Sequence, residues 1–198
     1  PLLAVPDPGF AHTPLHKVGF TPVYEPENLR STLGLKRLFI KDESPNPSAS
    51  FKDRASALLV AEAIRRDIPT IIAASTGNAG AAMACMAASV GKQAIILAPR
   101  SAPEAKVAQL LTYGAKVILV NGSYDDAFDL SIAASKKFGW YNRNTGYNPF
   151  TVEGKKTAGL EIWEQVLRNL PDGKDLNIFI PVGDGNILSG VAKGFVDL

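Results

Sequence analysis

The sequence predicts an α/β protein with a parallel sheet that is covered by helices on both faces. From residue 69 onward, short apolar segments of strand length alternate with Ala- and Leu-rich segments of helical length. Chains with this alternation form parallel sheets, because each helix carries the chain back to the edge where the next strand begins. Gly, Pro and Asn residues lie between the segments, as expected for turns.

The elements follow in order along the chain. An Ala- and Leu-rich run predicts a helix over residues 55–64, preceded by a first turn that begins near Ser50. β-Branched or apolar runs predict strands over residues 70–74, 93–97, 116–120 and 176–182. Helical composition and spacing predict helices over residues 79–90, 103–113, 124–138 and 155–170. Pro103 suits a first helical position, and Gly114 and Gly139 suit helix ends.

Composition and charge exclude several classes of function. The 198 residues carry 21 Lys and Arg against 19 Asp and Glu, a formal net charge of +2, and the basic residues are scattered. No nucleic-acid partner is therefore expected, and no apolar stretch is long enough to cross a membrane. Cys85 is the one cysteine, which excludes an internal disulfide, and His12 and His16 lack a third ligand at metal spacing. We expect a cytoplasmic protein without a metal.

Lys52 is the first candidate for a chemical role. It lies in the run Ser-Phe-Lys-Asp-Arg, where Ser50 is predicted as the N-cap and Asp53 as its partner in a capping box. A lysine in the first helical turn sits at the positive end of the helix dipole, which disfavours its own charge. A neutral amine is what Schiff-base chemistry requires. Taken alone, the segment is also compatible with a solvated lysine.

Two loops at the starts of helices are candidates for binding anions. Residues 75–80, Ser-Thr-Gly-Asn-Ala-Gly, offer hydroxyls, an amide and free N–H groups, although the same residues serve as ordinary caps. Residues 181–186, Pro-Val-Gly-Asp-Gly-Asn, follow an apolar run, and their glycines let the backbone approach a phosphate. They match neither a dinucleotide-binding fingerprint nor a P-loop. Asp184 would repel a phosphate and is expected to cap the turn.

In this order, the motifs resemble the pyridoxal-phosphate enzymes of fold type II, and within that family most of all the threonine synthases. The resemblance rests on residues 41–43, 46–54, 75–80, 153–157 and 182–186, and residues 13–15 are similar to the family's Thr-Pro-Leu opening. It covers nearly the whole chain. One departure is Ser48-Ala49-Ser50, where the family commonly has Thr-Gly-Ser, so the local backbone is in question there. Asp184 and Asn186 also depart from the loop of many threonine synthases.

The resemblance implies a role for each matched residue. Lys52 would hold pyridoxal 5′-phosphate as a Schiff base and move protons on the substrate. Asn78 would hydrogen-bond the 3′ oxygen of the cofactor. The α-carboxylate of the substrate would be bound by Ser75, Thr76, Asn78 and Ala79, and the cofactor phosphate by Gly183, Asp184, Gly185, Asn186 and Ile187. Lys155 and Lys156 are expected to be a solvated pair at the start of a helix.

The function that the resemblance implies is that of a lyase converting O-phospho-L-homoserine and water to L-threonine and phosphate. A serine or threonine dehydratase, or another β-elimination or β-replacement enzyme, stays open as the alternative. The run Ser-Thr-Gly-Asn-Ala favours the synthase over the Gly-Asn-His pattern of dehydratases, and Phe51 disfavours a cysteine synthase. A non-catalytic ligand-binding relative also stays open. A dinucleotide-binding Rossmann domain is disfavoured by the missing fingerprint.

The resemblance also implies the domain organisation. Two parallel-sheet α/β domains would hold the cofactor between them. The smaller would comprise residues 78–139, and the larger would include residues 1–77 and 140–198. Since the chain begins at Pro1 and stops soon after a helix has begun, we expect a piece of a longer enzyme, with the rest of the larger domain beyond Leu198. A homodimer acting on a small amino-acid substrate is expected.

Overall fold

Strands and helices alternate through most of the computed structural model, which describes residues 12–170 and 176–198. The strands are β1 (Val23–Tyr24), β2 (Ile40–Lys41), β3 (Thr70–Ala74), β4 (Gln93–Pro99), β5 (Lys116–Val120) and β6 (Tyr141–Asn142). The α-helices are α1 (Glu27–Thr32), α2 (Lys52–Arg65), α3 (Asn78–Ala88), α4 (Glu104–Thr112), α5 (Tyr124–Phe138), α6 (Phe150–Gln165) and α7 (Asn186–Val196). Short 3-10 helices cover Pro14–Lys17 and Leu167–Asn169.

A parallel sheet forms the centre of the fold, as predicted. Its strand order is β5-β4-β3-β6, and each neighbouring pair is parallel. The predicted strands over residues 70–74 and 116–120 match β3 and β5 residue for residue, and the strand predicted over residues 93–97 continues to Pro99. β1 and β2 form a separate antiparallel pair.

Both faces of the sheet are buried against helices. On β3, Ile71 and Ala73 pack into a cluster with residues of α2, α3 and α4. Ile72 and Ala74, which point to the opposite face, pack against Ala127 of α5. Strands that are buried on both faces have continuous rather than alternating apolar sequences. The predicted α/β class with helices on both faces is confirmed.

Glycines bring α2, α6 and α7 into close contact. A Cβ atom on Gly154 of α6 would lie 2.4 Å from the backbone oxygen of Arg54 in α2. A Cβ atom on Gly190 of α7 would lie 2.5 Å from the Cβ atom of Lys155, and one on Gly194 would lie 2.3 Å from a backbone oxygen of α6. A larger residue at these positions would force the helices apart. The glycines therefore fix where α6 lies between its two neighbours.

A buried ion network ties α2 and α6 to the N-terminal part of the chain. The fully buried guanidinium of Arg54 donates hydrogen bonds to Glu43 at 2.7 and 2.8 Å and to Glu161 at 2.7 and 2.9 Å. Lys41 Nζ donates to Glu161 at 2.6 Å. Burial opposes both charges, but these bonds outweigh it, so the pKa of Arg54 is raised and the pKa of Glu161 is lowered to about 2. Both groups stay ionised at neutral pH.

The strand predicted over residues 176–182 is not formed. This segment is irregular, and Phe179 and Val182 are 94% and 61% exposed. An apolar run becomes a strand when a neighbouring strand pairs with its N–H and C=O groups. Within residues 12–170 and 176–198, the sheet offers no strand beside this segment.

The start of α2 differs from the predicted capping box. The helix begins at Lys52, and the carboxylate of Asp53 accepts hydrogen bonds from Ser48 N–H at 2.7 Å and Ser48 Oγ at 2.5 Å. Between them, Ala49 has a φ of 56°, in the left-handed region. This turn brings Ser48, and not Ser50, to Asp53. The chain thus keeps a backbone that suits glycine at the position where the related enzymes commonly have one.

The helix predicted over residues 155–170 starts earlier and ends earlier, as α6. The side-chain oxygen of Asn148 accepts a hydrogen bond from the N–H of Phe150 at 3.1 Å and helps to start the helix. Gly154 lies inside α6, where it allows the close contact with α2. Lys155 and Lys156 are therefore mid-helix residues that are 0% and 5% exposed. The prediction of a solvated pair is wrong.

Replacing Glu161 with Gln should strongly lower the free energy of unfolding. The variant removes one partner of a buried ion pair, which typically costs roughly 3–5 kcal/mol. Because the pKa of Glu161 falls from 4.5 to about 2 on folding, its ionised form stabilises the protein above pH 4.5, and this stabilisation is lost as the pH falls toward 2. Urea unfolding at neutral pH and through the acid range measures both effects.

Glu164→Gln is the matched control for that variant. Glu164 lies on the same helix and is exposed, so its unfolding free energy should stay within about 0.5 kcal/mol of the wild type. Equal losses in the two variants would contradict the role given to the network.

Replacing Ala49 with Gly should leave the stability unchanged or raise it, although Ala-to-Gly changes usually destabilise. The left-handed backbone costs alanine about 1–2 kcal/mol, and glycine offsets part of that gain by its larger entropy in the unfolded chain. Ala133→Gly, at an exposed position within α5, should instead lose about 1 kcal/mol. Thermal unfolding of both variants makes the comparison. A loss at Ala49 as large as that at Ala133 would refute the left-handed turn.

Candidate active site

Lys52 lies near residues from the opposite end of the chain. It is the first residue of α2 and is half-buried. Asp184, in the loop before α7, and Arg143, directly after β6, both act electrostatically on its amine. The N–H of Arg143 donates to the carbonyl of Ile72 in β3 at 2.8 Å. The cluster therefore lies beside the central strands of the parallel sheet, near their carboxyl ends.

The surroundings of Lys52 favour a neutral amine. Burial lowers the pKa of Lys52, the carboxylate of Asp184 raises it in part, and the guanidinium of Arg143 lowers it further. The N-terminus of α2 acts in the same direction as the burial. Sequence analysis predicts a lowered pKa from the helix dipole, and the structure adds burial as the larger cause. A neutral amine can form a Schiff base and accept a proton.

Ser75 organises the loop between β3 and α3. It is buried, and its Oγ atom accepts hydrogen bonds from the N–H groups of Gly80 at 2.8 Å and Gly77 at 3.3 Å. Its hydroxyl thus shapes the loop, as an ordinary cap would. Thr76 is half-buried at the top of the loop. The expected contact of these two residues with a substrate carboxylate stays a prediction.

Asn78 and Ala79 begin α3 and leave N–H groups available. The N–H groups of a first helical turn have no acceptor within the helix, which suits them to bind a carboxylate. The Asn78 side chain is exposed, and its Oδ1 atom accepts a hydrogen bond from Lys106 Nζ of α4 at 2.9 Å. Its expected bond to the cofactor's 3′ oxygen would use the amide nitrogen or require Lys106 to move.

The loop before α7 leaves open space beside a helix N-terminus. Gly185 has a φ of 76°, and no atom lies within 4 Å of a Cβ atom built on Gly183 or Gly185. Asp184 Oδ1 accepts a hydrogen bond from the N–H of Asn186 at 3.1 Å, which confirms that it caps the turn. Ile187 follows, half-buried, in the first turn. The open space and the first-turn N–H groups suit a phosphate.

Sequence reasoning missed three residues of this cluster. Arg143 is 1% exposed, and its Nη2 atom has no hydrogen-bond partner among the described residues. Tyr124 donates its hydroxyl hydrogen to the carbonyl of Ala74 at 3.5 Å. Lys155 donates from Nζ to the side-chain oxygen of Asn186. A lysine in the matched run 153–157 was a signal for Lys155, whereas Arg143 follows a two-residue strand that carries no sequence signal.

Comparison with known families matches nearly the whole chain. A family model described as "Pyridoxal-phosphate dependent enzyme" matches residues 15–198. The chain belongs to this family of pyridoxal-phosphate dependent enzymes. The predicted family and cofactor are thereby confirmed.

Curated relatives of the chain within the family are named threonine synthase. The one from Methanocaldococcus jannaschii is 40% identical over 178 residues, which are 89% of this chain and 43% of the relative. The one from Bacillus sp. (strain ULM1) is 38% identical over 182 residues, which are 90% of this chain and 49% of the relative. The chain spans about half the length of the curated relatives it matches.

Solved structures with the same fold have several different activities in their titles. Threonine deaminase isoform 2 from Solanum lycopersicum, in its processed form, matches with a TM-score of 0.80 and 28% identity, over 92% of this chain and 49% of that one. Maize serine racemase matches with a TM-score of 0.79 and 29% identity, over 92% of this chain and 54% of that one. The fold type II architecture is confirmed, but the fold alone does not select one reaction.

The residues around Lys52 fit pyridoxal 5′-phosphate. A half-buried amine with a lowered pKa can bond to the aldehyde. The open space at Gly183 and Gly185, at the start of α7, can accept the phosphate. Lys52, Arg143 and Lys155 supply more positive charge than Asp184 offsets, which favours an anionic cofactor.

Two negative findings apply to the described parts of the chain. No helix in residues 12–170 or 176–198 is long and apolar enough to span a bilayer. In the same ranges, no three His, Cys, Asp or Glu side chains are grouped so that they could hold a metal ion.

Acetylation at increasing pH should modify Lys52 at a lower pH than exposed Lys136. The neutral amine is the reactive form, and burial together with Arg143 brings the pKa of Lys52 below its usual 10.5. Peptide mass spectrometry gives the pH of half-labelling for each lysine, which is independent of their different accessibility.

Asp184→Asn tests the cause of that shift. Asp184 raises the pKa of Lys52, so its removal should lower the half-labelling pH of Lys52 further and leave that of Lys136 unchanged. An unchanged or higher value for Lys52 would contradict the electrostatic contact.

Proposed function

We propose that the enzyme to which this chain belongs is a threonine synthase, which converts O-phospho-L-homoserine and water to L-threonine and phosphate. The observation that carries the proposal is the cluster in which the half-buried Lys52 faces an excess of positive charge from Arg143 and Lys155. Such a site suits a cofactor and a substrate that each carry a phosphate. The names of the relatives at 38–40% identity support the same reaction.

The site residues have distinct roles in this proposal. Pyridoxal phosphate, when bound, withdraws electrons from the α carbon of an amino acid and so stabilises a carbanion there. Lys52 Nζ, in its neutral form, takes the proton from the α carbon and then moves a proton at the β carbon. The first-turn N–H groups of Asn78 and Ala79 hold the α-carboxylate, in a loop shaped by Ser75 and Thr76.

The phosphate of the cofactor lies, in this proposal, at the start of α7. Gly183, Gly185 and the N–H groups of Asn186 and Ile187 surround it, and the α7 dipole adds to their attraction. Asp184 caps the loop, and its charge keeps the pKa of Lys52 from falling further.

A β-elimination on serine or threonine is the alternative reaction. The titles of two structural neighbours, a threonine deaminase and a serine racemase, favour it at 28–29% identity. Both reactions begin with removal of the α proton by a lysine, so Lys52 has the same first role in each. They differ in the leaving group, which is phosphate on the γ carbon in one case and hydroxide on the β carbon in the other.

We also propose that the chain contributes to two domains of a homodimer. Residues 78–139 would form the smaller domain, and residues 1–77 and 140–198 would belong to the larger. β3 and β6 lie outside residues 78–139 and pair with the sheet that runs through them, so the boundary would cross this sheet. Limited proteolysis and sedimentation of the whole protein test both points.

Product analysis with the whole enzyme tests the proposed reaction. Loaded with pyridoxal phosphate, it should release phosphate and form threonine from O-phospho-L-homoserine, and Lys52→Ala should lower kcat by about 10³-fold or more, as loss of a covalent general base does. Lys136→Ala, at an exposed lysine, is the control and should keep full activity. Release of ammonia and a 2-oxo acid from serine or threonine, without phosphate release, would replace the proposal by the dehydratase.

A further inference from the structure

Arg143 is buried without an anion. Its guanidinium is 1% exposed, and its hydrogen bonds go to neutral hydroxyls, from Nη1 to Thr145 Oγ1 at 2.8 Å and from Nε to Ser56 Oγ at 3.4 Å. Nη2 has no partner among the described residues. Arginine is almost never fully buried unless it is paired, and an unmade bond of a buried charged group is costly. A missing anion at Nη2 would resolve this.

Arg54 provides an internal comparison. It is as deeply buried as Arg143, but Glu43 and Glu161 accept four hydrogen bonds from it. The same fold thus pairs a buried arginine with carboxylates where the arginine is structural. Arg143 has no carboxylate within ion-pair distance in the described parts of the chain.

Lys155 shows the same contrast with its neighbour in sequence. Lys156 is 5% exposed and pairs with Glu153 and Asp197, each at 2.8 Å. Lys155 is 0% exposed, and the acceptor of its Nζ is the neutral amide oxygen of Asn186. Burial, Arg143 and Lys52 together lower the pKa of Lys155 to about 7, and Asp184 offsets this in part. Lys155 is thus a second buried cation without a bound carboxylate.

Arg143 and Lys155 act on each other and on Lys52. Two unpaired cations held together inside a protein repel each other, so the arrangement is stable only if the fold has another reason to keep it. A dianion between them would accept hydrogen bonds from Arg143 Nη2 and Lys155 Nζ and would remove the repulsion. Arginine and lysine together are the usual protein partners of phosphate.

We propose that Arg143 and Lys155 form a binding site for a phosphate group beside Lys52, separate from the N–H groups of the loop before α7. The phosphate has two possible sources, the cofactor and a phosphorylated substrate. The inference rests on the proposed function for this choice of sources, but the site itself can be measured with inorganic phosphate.

Calorimetric titration of the whole protein with inorganic phosphate tests the site, with and without bound pyridoxal phosphate. Arg143→Gln and Lys155→Gln should each weaken phosphate binding about ten- to hundredfold, the effect of one charge-assisted hydrogen bond. Lys156→Gln is the matched control, since it removes the neighbouring lysine that already has carboxylate partners, and it should bind phosphate as the wild type does. Circular dichroism confirms that each variant is folded, and Arg143→Lys provides a milder change if Arg143→Gln does not fold.

Affinities for pyridoxal and pyridoxal phosphate distinguish the two sources. If the variants lose affinity for pyridoxal phosphate but not for pyridoxal, the site takes the phosphate of the cofactor. If they bind pyridoxal phosphate normally and lose inorganic phosphate in the cofactor-loaded protein, the site takes the phosphate of a substrate. If Arg143→Gln and Lys155→Gln bind inorganic phosphate and pyridoxal phosphate as tightly as Lys156→Gln, the proposal is wrong. The assignment of Lys52 would be unaffected by that result.

Discussion

The buried ion network around Arg54 is the interaction on which the arrangement of the site depends. Arg54 lies two residues after Lys52, and its bonds to Glu43 and Glu161 hold the first turn of α2 against α6 and the N-terminal segment. Asp53 holds the preceding loop through Ser48. Three consecutive residues therefore divide the work, because two of them anchor the helix start and leave the amine of the first available for chemistry.

The same physical contrast separates structural from functional charges elsewhere. Arg54 and Lys156 are buried with carboxylate partners, and their pKa values are raised. Lys52, Arg143 and Lys155 are half-buried or buried without such partners, and their pKa values are lowered. Unpaired buried charge reduces stability, and perturbed pKa values cluster at functional sites. The position of these three side chains together, at the start of α2, the end of β6 and the middle of α6, is the strongest structural indication of an active site.

Local patterns predicted most of the fold, and long-range contacts explain what they missed. The β-branched run 70–74 and the helix 124–138 were predicted at their observed bounds, because sequence pattern and turn residues agree there. The strand over residues 176–182 failed because pairing depends on a neighbour, which sequence does not show. Lys155 was predicted as solvated because Gly154 looked like a helix stop, whereas it is a contact point. Motif order identified Lys52 and the two loops, but the unpaired state of Arg143 required the structure.

The central claim is that Lys52, and not the equally buried-in-cluster Lys155, carries pyridoxal phosphate. Borohydride reduction of the whole cofactor-loaded enzyme, followed by peptide mass spectrometry, tests it most directly, because reduction fixes the cofactor to the lysine that holds it. The account predicts the pyridoxyl group on the peptide containing Lys52 and none on the peptide containing Lys155. A pyridoxyl group on Lys155, or on neither peptide after reduction of a protein exposed to excess cofactor, would contradict it.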